Sequence, residues 1–148
     1  MMSHREPKFR AWDKKNRVMI QVGMIDFDDR IIETDDGREE DKEMIVEYRK
    51  AVRFDDLEFI EYTGLKDRHG KEIYEGDILK SKAYAFTLDS HDTKECLSVV
   101  KFQDGCFSAK LVTVLEVGGI PTSGYLVSRD LSQCETIGNM YENSELIK

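Results

Sequence analysis

The stretch 97–115, LSVVKFQDGCFSAKLVTVL, decides the fold because it holds the clearest strand–turn–strand pattern of the chain. The pair Asp104-Gly105 readily takes positive φ at both central positions of a two-residue turn, as a tight antiparallel hairpin requires. After this turn, apolar and polar residues alternate, which predicts a half-buried strand. We expect Phe107, Leu111 and Leu115 to face a core.

The flanking sequence repeats this alternation of short apolar runs and polar turns. Two more hairpins are predicted before residue 35, and further strands at 57–62, 73–79, 125–127 and 135–137. Residues 143–147 predict one helical turn capped by Asn143. The fold class is mainly β (β-rich α+β). We expect a small, partly open SH3-like barrel in the C-terminal two-thirds, with an N-terminal β-hairpin layer and one or two short helices.

Residues 39–54 are ambiguous. Apolar residues there recur at helical spacing, and acidic and basic residues lie at the ends that a helix dipole favours. Met44, Val46 and Tyr48 also alternate as in a strand. We interpret the segment as a helix.

Length and composition indicate one ordinary domain, 1–148, with a possible subdivision into 1–56 and 57–148. The three cysteines form no Cys-x-x-Cys pair, and reduced thiols in a cytosol fit best. No apolar run is long enough to span a membrane, and the N-terminus lacks the apolar centre of a secretory signal.

The net charge of −8 is distributed unevenly. Residues 1–17 carry six basic and two acidic residues, whereas residues 26–43 carry ten acidic and three basic ones. Overall acidity argues against tight nucleic-acid binding, which depends on neutralising phosphates. The basic arm with Phe9 and Trp12 leaves a weak nucleic-acid role as an alternative, although Trp12 more often packs on a core in such a hairpin.

No phosphate loop, zinc-protease motif or nucleophile elbow occurs in the chain. Cys96 follows His91 by five residues, but neither it nor Cys106 has neighbours that favour a thiolate. We therefore predict no catalytic, cofactor-binding or metal-binding residue, and a protein that is not an enzyme. A site assembled from distant loops is the alternative.

The segment 63–78, TGLKDRHGKEIYEGDI, has the densest turn chemistry. Gly64, Gly70 and Gly76 suit backbone turns that side chains would obstruct, and Asp67 and Asp77 can accept hydrogen bonds from nearby backbone N–H groups. We expect the three glycines to serve turns.

This segment, with the preceding Tyr62, resembles the central motif of the YopX-like proteins of bacteriophages and prophages. The start of the chain, Lys8-Phe9-Arg10-Ala11-Trp12-Asp13, is similar to the family's opening, and 137–143, which contains Gly138-Asn139, to its close. Residues 100–107 fit the hairpin between them. The resemblance covers nearly the whole chain and departs most at 26–56 and 82–96. The recurring positions that we take as structural are Gly64, Asp67, Gly70, Tyr74, Gly76, Asp77, Asp104, Gly105, Gly138 and Asn139.

The resemblance implies a phage or prophage protein acting in the bacterial cytosol, with a β-rich fold and a tendency to form homo-oligomers. It supplies no catalytic or binding residues. We predict a non-enzymatic module that binds a protein partner, as yet unknown, or assembles with itself, without a membrane and without tight nucleic-acid binding. Trp12, Phe27 and Tyr48 are the candidate apolar anchors of such an interface.

Overall fold

A computed structural model describes residues 6–34, 51–85, 93–115, 125–127 and 130–148. These ranges consist mainly of antiparallel strands, and their helical elements are three short 3-10 turns. Contacts divide the chain into two compact units, with the boundary between Glu61 and Tyr62.

The N-terminal unit is a single antiparallel sheet. Its strands are β1 (Phe9–Asp13), β2 (Val18–Asp26), β3 (Ile31–Thr34), β4 (Ala51–Arg53) and the first half of β5 (Leu57–Lys66). Their spatial order is β4-β3-β2-β1-β5. The predicted hairpins at β1–β2 and β2–β3 are confirmed.

The core of this unit lies on one face of its sheet. Ala11 and Ile32 are completely buried and Leu57 nearly so, with half-buried Phe54 and Phe59 packed against them. Because successive side chains of a strand point to opposite faces, Trp12 lies on the face opposite Ala11.

The C-terminal unit begins with the second half of β5. It continues with β6 (Glu72–Tyr74), β7 (Asp77–Ala85), β8 (Thr93–Gln103), β9 (Cys106–Val114), β10 (Tyr125–Val127) and β11 (Glu135–Asn139). Strands β10, β7, β8 and β9 are neighbours in that order, and β11 also pairs with β7. The mainly β fold is confirmed, and in the described ranges the two sheets do not close into a barrel.

Both faces of the β7–β8–β9 sheet carry apolar side chains. On one face Leu79 and Val100 pack with Leu131 and Cys134. On the other face Ile78, Leu97 and Val99 pack with residues near the C-terminus. Burial on two sides explains why the start of the 97–115 stretch is almost continuously apolar.

The β8–β9 hairpin confirms the Asp104-Gly105 turn. Asp104 and Gly105 have φ of 53° and 79°, and Gln103 pairs with Cys106 across the turn. Phe107 packs on the Leu79–Val100 cluster as predicted.

The prediction that Leu115 faces a core is wrong, since Leu115 is 45% exposed. The pairing register shifts between Leu97 and Ser98, which places an additional residue in β9. A bulge of this kind reverses the alternation beyond it, so Val114 takes the interior position and is completely buried.

The helix predicted for 39–54 is wrong at residues 51–54, the part of this range that the structure describes. Residues 51–53 form β4, which pairs with β3, and 54–56 form a 3-10 turn. Residues 39–50 lie outside the described ranges. The helical turn near the C-terminus is confirmed as a 3-10 turn at Ser144–Ile147, although the Asn143 side chain does not cap it.

Candidate functional site

The carboxylate of Asp67 joins two separate parts of the C-terminal unit. One oxygen, Oδ1, accepts hydrogen bonds from the backbone N–H groups of His69 (2.8 Å) and Lys71 (3.0 Å). The other, Oδ2, accepts the backbone N–H of Thr136 in β11 at 2.9 Å. The neighbouring Arg68 donates its backbone N–H to the carbonyl of Cys134 and its guanidinium to Glu135 at 2.6 Å. The loop after β5 is thereby fastened to β11.

Burial raises the pKa of the Asp67 carboxyl, but the hydrogen bonds from Thr136, Lys71 and His69 outweigh it and hold that pKa below its ordinary value. The group is therefore a carboxylate at neutral pH. Three backbone N–H groups donate to this carboxylate, which is the pattern of a structural anchor.

The turn between β6 and β7 contains Gly76 and Asp77. The buried Asp77 carboxylate accepts the backbone N–H of Tyr74 at 2.9 Å. Gly76 donates its N–H to the carbonyl of Val100 and accepts the N–H of Met140 through its own carbonyl. A Cβ at Gly76 would lie 2.8 Å from the Tyr141 ring, so the close approach of the C-terminal segment also requires glycine there.

The C-terminal segment has its own internal bonds. The Asn139 side chain accepts the N–H groups of Tyr141 and Glu142, and the Asn143 side chain accepts the N–H of Asn139 at 3.2 Å. A Cβ at Gly138 would lie 2.5 Å from Asn143 Oδ1. The glycine therefore makes room for the asparagine.

The predicted turn residues behave differently from one another. Gly70 and Gly76 have positive φ in turns, as expected. The prediction for Gly64 is wrong, because it lies inside β5, where the register shifts between Tyr62 and Lys66. Its φ of 85° belongs to a bulge. Tyr74 donates its hydroxyl to Glu72, and its ring packs on Tyr62 at 5.3 Å.

The three thiols differ in their exposure. Cys96 and Cys134 are completely buried, and burial raises the pKa of the Cys134 thiol against the lowering effect of a hydrogen bond from Ser81. Cys106 is exposed, and His91 lies outside the described residues.

Within the described part of the chain, no group of three His, Cys, Asp or Glu side chains is arranged to hold a metal ion. None of the helices described there has the length and apolar character needed to cross a bilayer.

Four phenylalanine rings form a continuous row in the N-terminal unit, here called the aromatic row. Each ring meets the next edge to face: Phe9 and Phe59 at 6.5 Å, Phe59 and Phe54 at 4.9 Å, and Phe54 and Phe27 at 6.0 Å between centroids. Phe9, Phe54 and Phe59 are half-buried, while Phe27 is 76% exposed. The Arg30 guanidinium lies 5.4 Å from the centre of the Phe54 ring.

The β2–β3 turn holds Phe27 outward. The Asp26 carboxylate accepts the backbone N–H groups of Asp28 and Asp29, each at 2.9 Å, and Arg30 has a φ of 54°. These bonds define a compact turn with an aromatic ring on it. Phe27 is thereby an exposed aromatic side chain at the surface of the N-terminal unit.

The structure describes two of the three predicted anchors, and it brings one of these two to the aromatic row. Phe27 ends the aromatic row, Trp12 lies on the other face of the sheet, and Tyr48 is outside the described residues. Phe9, Phe54 and Phe59 were missed by the sequence interpretation. The pairing of Ala11 with Phe59 explains part of their placement, but Phe54 lies in a 3-10 turn that no periodic pattern marks.

The sequence profile of the YopX protein family matches residues 8–148. The chain belongs to the YopX family. The YopX match includes the Asp67, Gly76 and Gly138 contacts described above. Among solved structures, protein EF1440 from Enterococcus faecalis is similar, with a TM-score of 0.59 over 98% of this chain and 100% of that one. At 24% identity this likeness shows a shared fold. A comparison with curated proteins found no match.

Proposed function

We propose that this YopX-family protein is a non-enzymatic module that binds protein through the aromatic row and assembles with copies of itself. The observation that carries the proposal is the 76% exposure of Phe27 at the end of four contacting rings. Buried aromatic anchors contribute much of the energy of protein interfaces. As implied by the family resemblance, we place this activity in the cytosol of a phage-carrying bacterium.

The polar residues of the central and closing motifs support binding over catalysis. Asp67, Asp77 and Asn139 all have their side chains bonded to nearby backbone groups. Side chains engaged in this way position loops, and they offer no free base or nucleophile to a substrate.

The charges of the N-terminal unit favour contacts between copies. The basic turn with Lys14, Lys15 and Arg17 and the acidic turn 26–29 lie at opposite ends of β2. A strand of nine residues spans roughly 30 Å at about 3.3 Å per residue, whereas salt screens charges within about 8 Å. Pairing of the two turns within one molecule is therefore negligible, and head-to-tail pairing between molecules remains available.

Light scattering over a range of protein concentrations tests the proposal. We expect the average mass to rise with concentration over tens of micromolar, a range suited to weak association. A mass that stays at the monomer value throughout would contradict self-assembly. A salt-resistant shift of duplex DNA would instead favour the nucleic-acid role of the basic arm.

A further inference from the structure

An open apolar groove of about 300 Å³ lies on one face of the C-terminal unit. It is lined by five apolar side chains and two lysines: Val99, Leu111, Val112, Met140, Ile147, Lys101 and Lys110. Its volume is at the lower end of the range for small-molecule sites, which are mostly apolar with a few polar groups.

Strand geometry explains the composition of the groove. Val99 of β8 pairs with Lys110 of β9, so Lys101 and Val112 extend the same face on either side. The C-terminal segment covers this face in part, because Met140 and Ile147 pack against the cluster of Ile78, Leu97 and Val99. Val112, Met140 and Ile147 all remain half-buried beside the opening.

The two lysines supply positive charge at the groove. Lys101 Nζ donates to the Met140 sulfur at 3.4 Å, and a thioether is a weak acceptor. Among the described residues no carboxylate forms an ion pair with Lys101 or Lys110, whereas Lys80 on the same sheet pairs with Glu95 at 3.2 Å. In a chain of net charge −8, two ammonium groups beside an apolar surface complement an anionic ligand.

We propose that the groove binds a small anionic amphiphile, with its apolar chain over Val99, Val112 and Met140 and its head group at Lys101 and Lys110. At about 30 Å³ per non-hydrogen atom, as in liquid water, the volume accommodates roughly ten such atoms. A medium-chain carboxylate has this size. The groove lies on the face of the β8–β9 pair, and the hydrogen bonds of these strands run within the plane of the sheet. A peptide backbone lying on that face would therefore find few partners, which favours an amphiphile. The inference rests on the C-terminal unit and is independent of the aromatic row.

A methyl NMR titration of the full chain with decanoate, kept below the concentration at which micelles form, tests the proposal. We expect saturable shifts for the methyl groups of Val99, Val112, Met140 and Ile147, and none for Val52 in the other unit. Decyltrimethylammonium has the same tail with the opposite charge, and we expect it to bind at least about fivefold more weakly, as loss of two exposed ion pairs implies.

Three variants localise the head group. Lys101→Gln and Lys110→Gln should each weaken decanoate binding about twofold to fivefold, while Lys66→Gln, an exposed lysine on β5, should not change it. Amide spectra confirm that each variant is folded. The proposal is overturned if decanoate gives no saturable shifts, if decyltrimethylammonium binds equally well, or if both groove variants bind like the wild type. Displacement of decanoate by a short acidic peptide at lower concentrations would identify a protein segment as the occupant and would also overturn it.

Discussion

At the scale of single residues, the side chains that recur in the YopX motifs act on the backbone. Asp67 illustrates this, because one carboxylate satisfies N–H groups from the loop after β5 and from β11. The turn positions of Gly70 and Gly76 and the local backbone bonds of Asp67 and Asp77 could be predicted from the sequence, whereas the bulge at Gly64 could not. The Thr136 contact could not be predicted, because the two residues are 69 positions apart.

Asp67→Asn should lower the free energy of unfolding by about 2 kcal/mol, because the amide nitrogen cannot accept the Thr136 N–H and the remaining bonds lose their charge. Chemical denaturation at neutral pH measures this loss. The control is Asp104→Asn at an exposed turn position that asparagine also tolerates. Equal stability of the two variants would contradict the anchoring role.

The same variant should reveal a pH dependence. The folded-state pKa of Asp67 lies below its ordinary value of 3.8, so its stabilising effect is complete well above that value and is lost as pH falls through the folded-state pKa. We expect the stability difference between wild type and Asp67→Asn to be constant above about pH 5 and to shrink below it. A difference that does not change in acid would show that the charge is unimportant.

Gly138 and Asn143 should be coupled. Gly138→Ala places a Cβ 2.5 Å from Asn143 Oδ1 and should cost about 2 kcal/mol, as overpacking does. Asn143→Ala removes the clash, so the double variant should lose less stability than the sum of the single ones. Gly70→Ala has open space around it, so any loss there reports only the cost of a side chain at a φ of 81°. Additive losses would exclude the proposed contact.

At the scale of elements, the strands and tight turns were the most predictable part of the fold. The turn of the β8–β9 hairpin could be predicted from Asp104-Gly105. The bulge in β9 has no sequence signal, and because of it Leu115 is exposed where a buried side chain was predicted. The helical spacing in 39–54 was misleading at 51–53, where pairing with β3 overrides the local pattern.

Gly105→Val should destabilise the protein by about 1 kcal/mol or more, since a β-branched residue is strained at positive φ. A Cβ at Gly105 meets nothing within 4 Å, so the cost comes from the backbone alone. Gly105→Asn, which tolerates this conformation, should cost less. Thermal unfolding of both variants measures the difference, and identical midpoints would count against a turn at these residues.

The bulge in β9 can be tested by truncating its two neighbours. Val114→Ala removes completely buried methyl groups and should cost about 2 kcal/mol. Leu115→Ala removes an exposed side chain and should change stability by less than about 0.5 kcal/mol. Urea denaturation measures both losses. A larger loss for Leu115→Ala than for Val114→Ala would contradict the bulge.

At the scale of the whole molecule, the sequence predicted the mainly β fold and the YopX family, and it named Phe27 as one anchor. It did not predict the aromatic row, which is assembled from β1, β5 and two turns. The row forms from rings that are distant in the sequence, such as Phe9 with Phe59 and Phe27 with Phe54, and local sequence patterns do not predict such contacts. The row also separates Phe27 from Trp12, which had been grouped with it.

Sedimentation velocity of matched variants tests most directly whether the aromatic row mediates self-assembly. The measurements use tens of micromolar protein, a range suited to weak association. Phe27→Ser removes the exposed ring of the row, whereas Phe102→Ser removes an exposed ring of the C-terminal unit. We predict assembled species for the wild type and Phe102→Ser, and monomer for Phe27→Ser. A monomeric wild type, or a Phe27→Ser variant that assembles like the wild type, would contradict the claim.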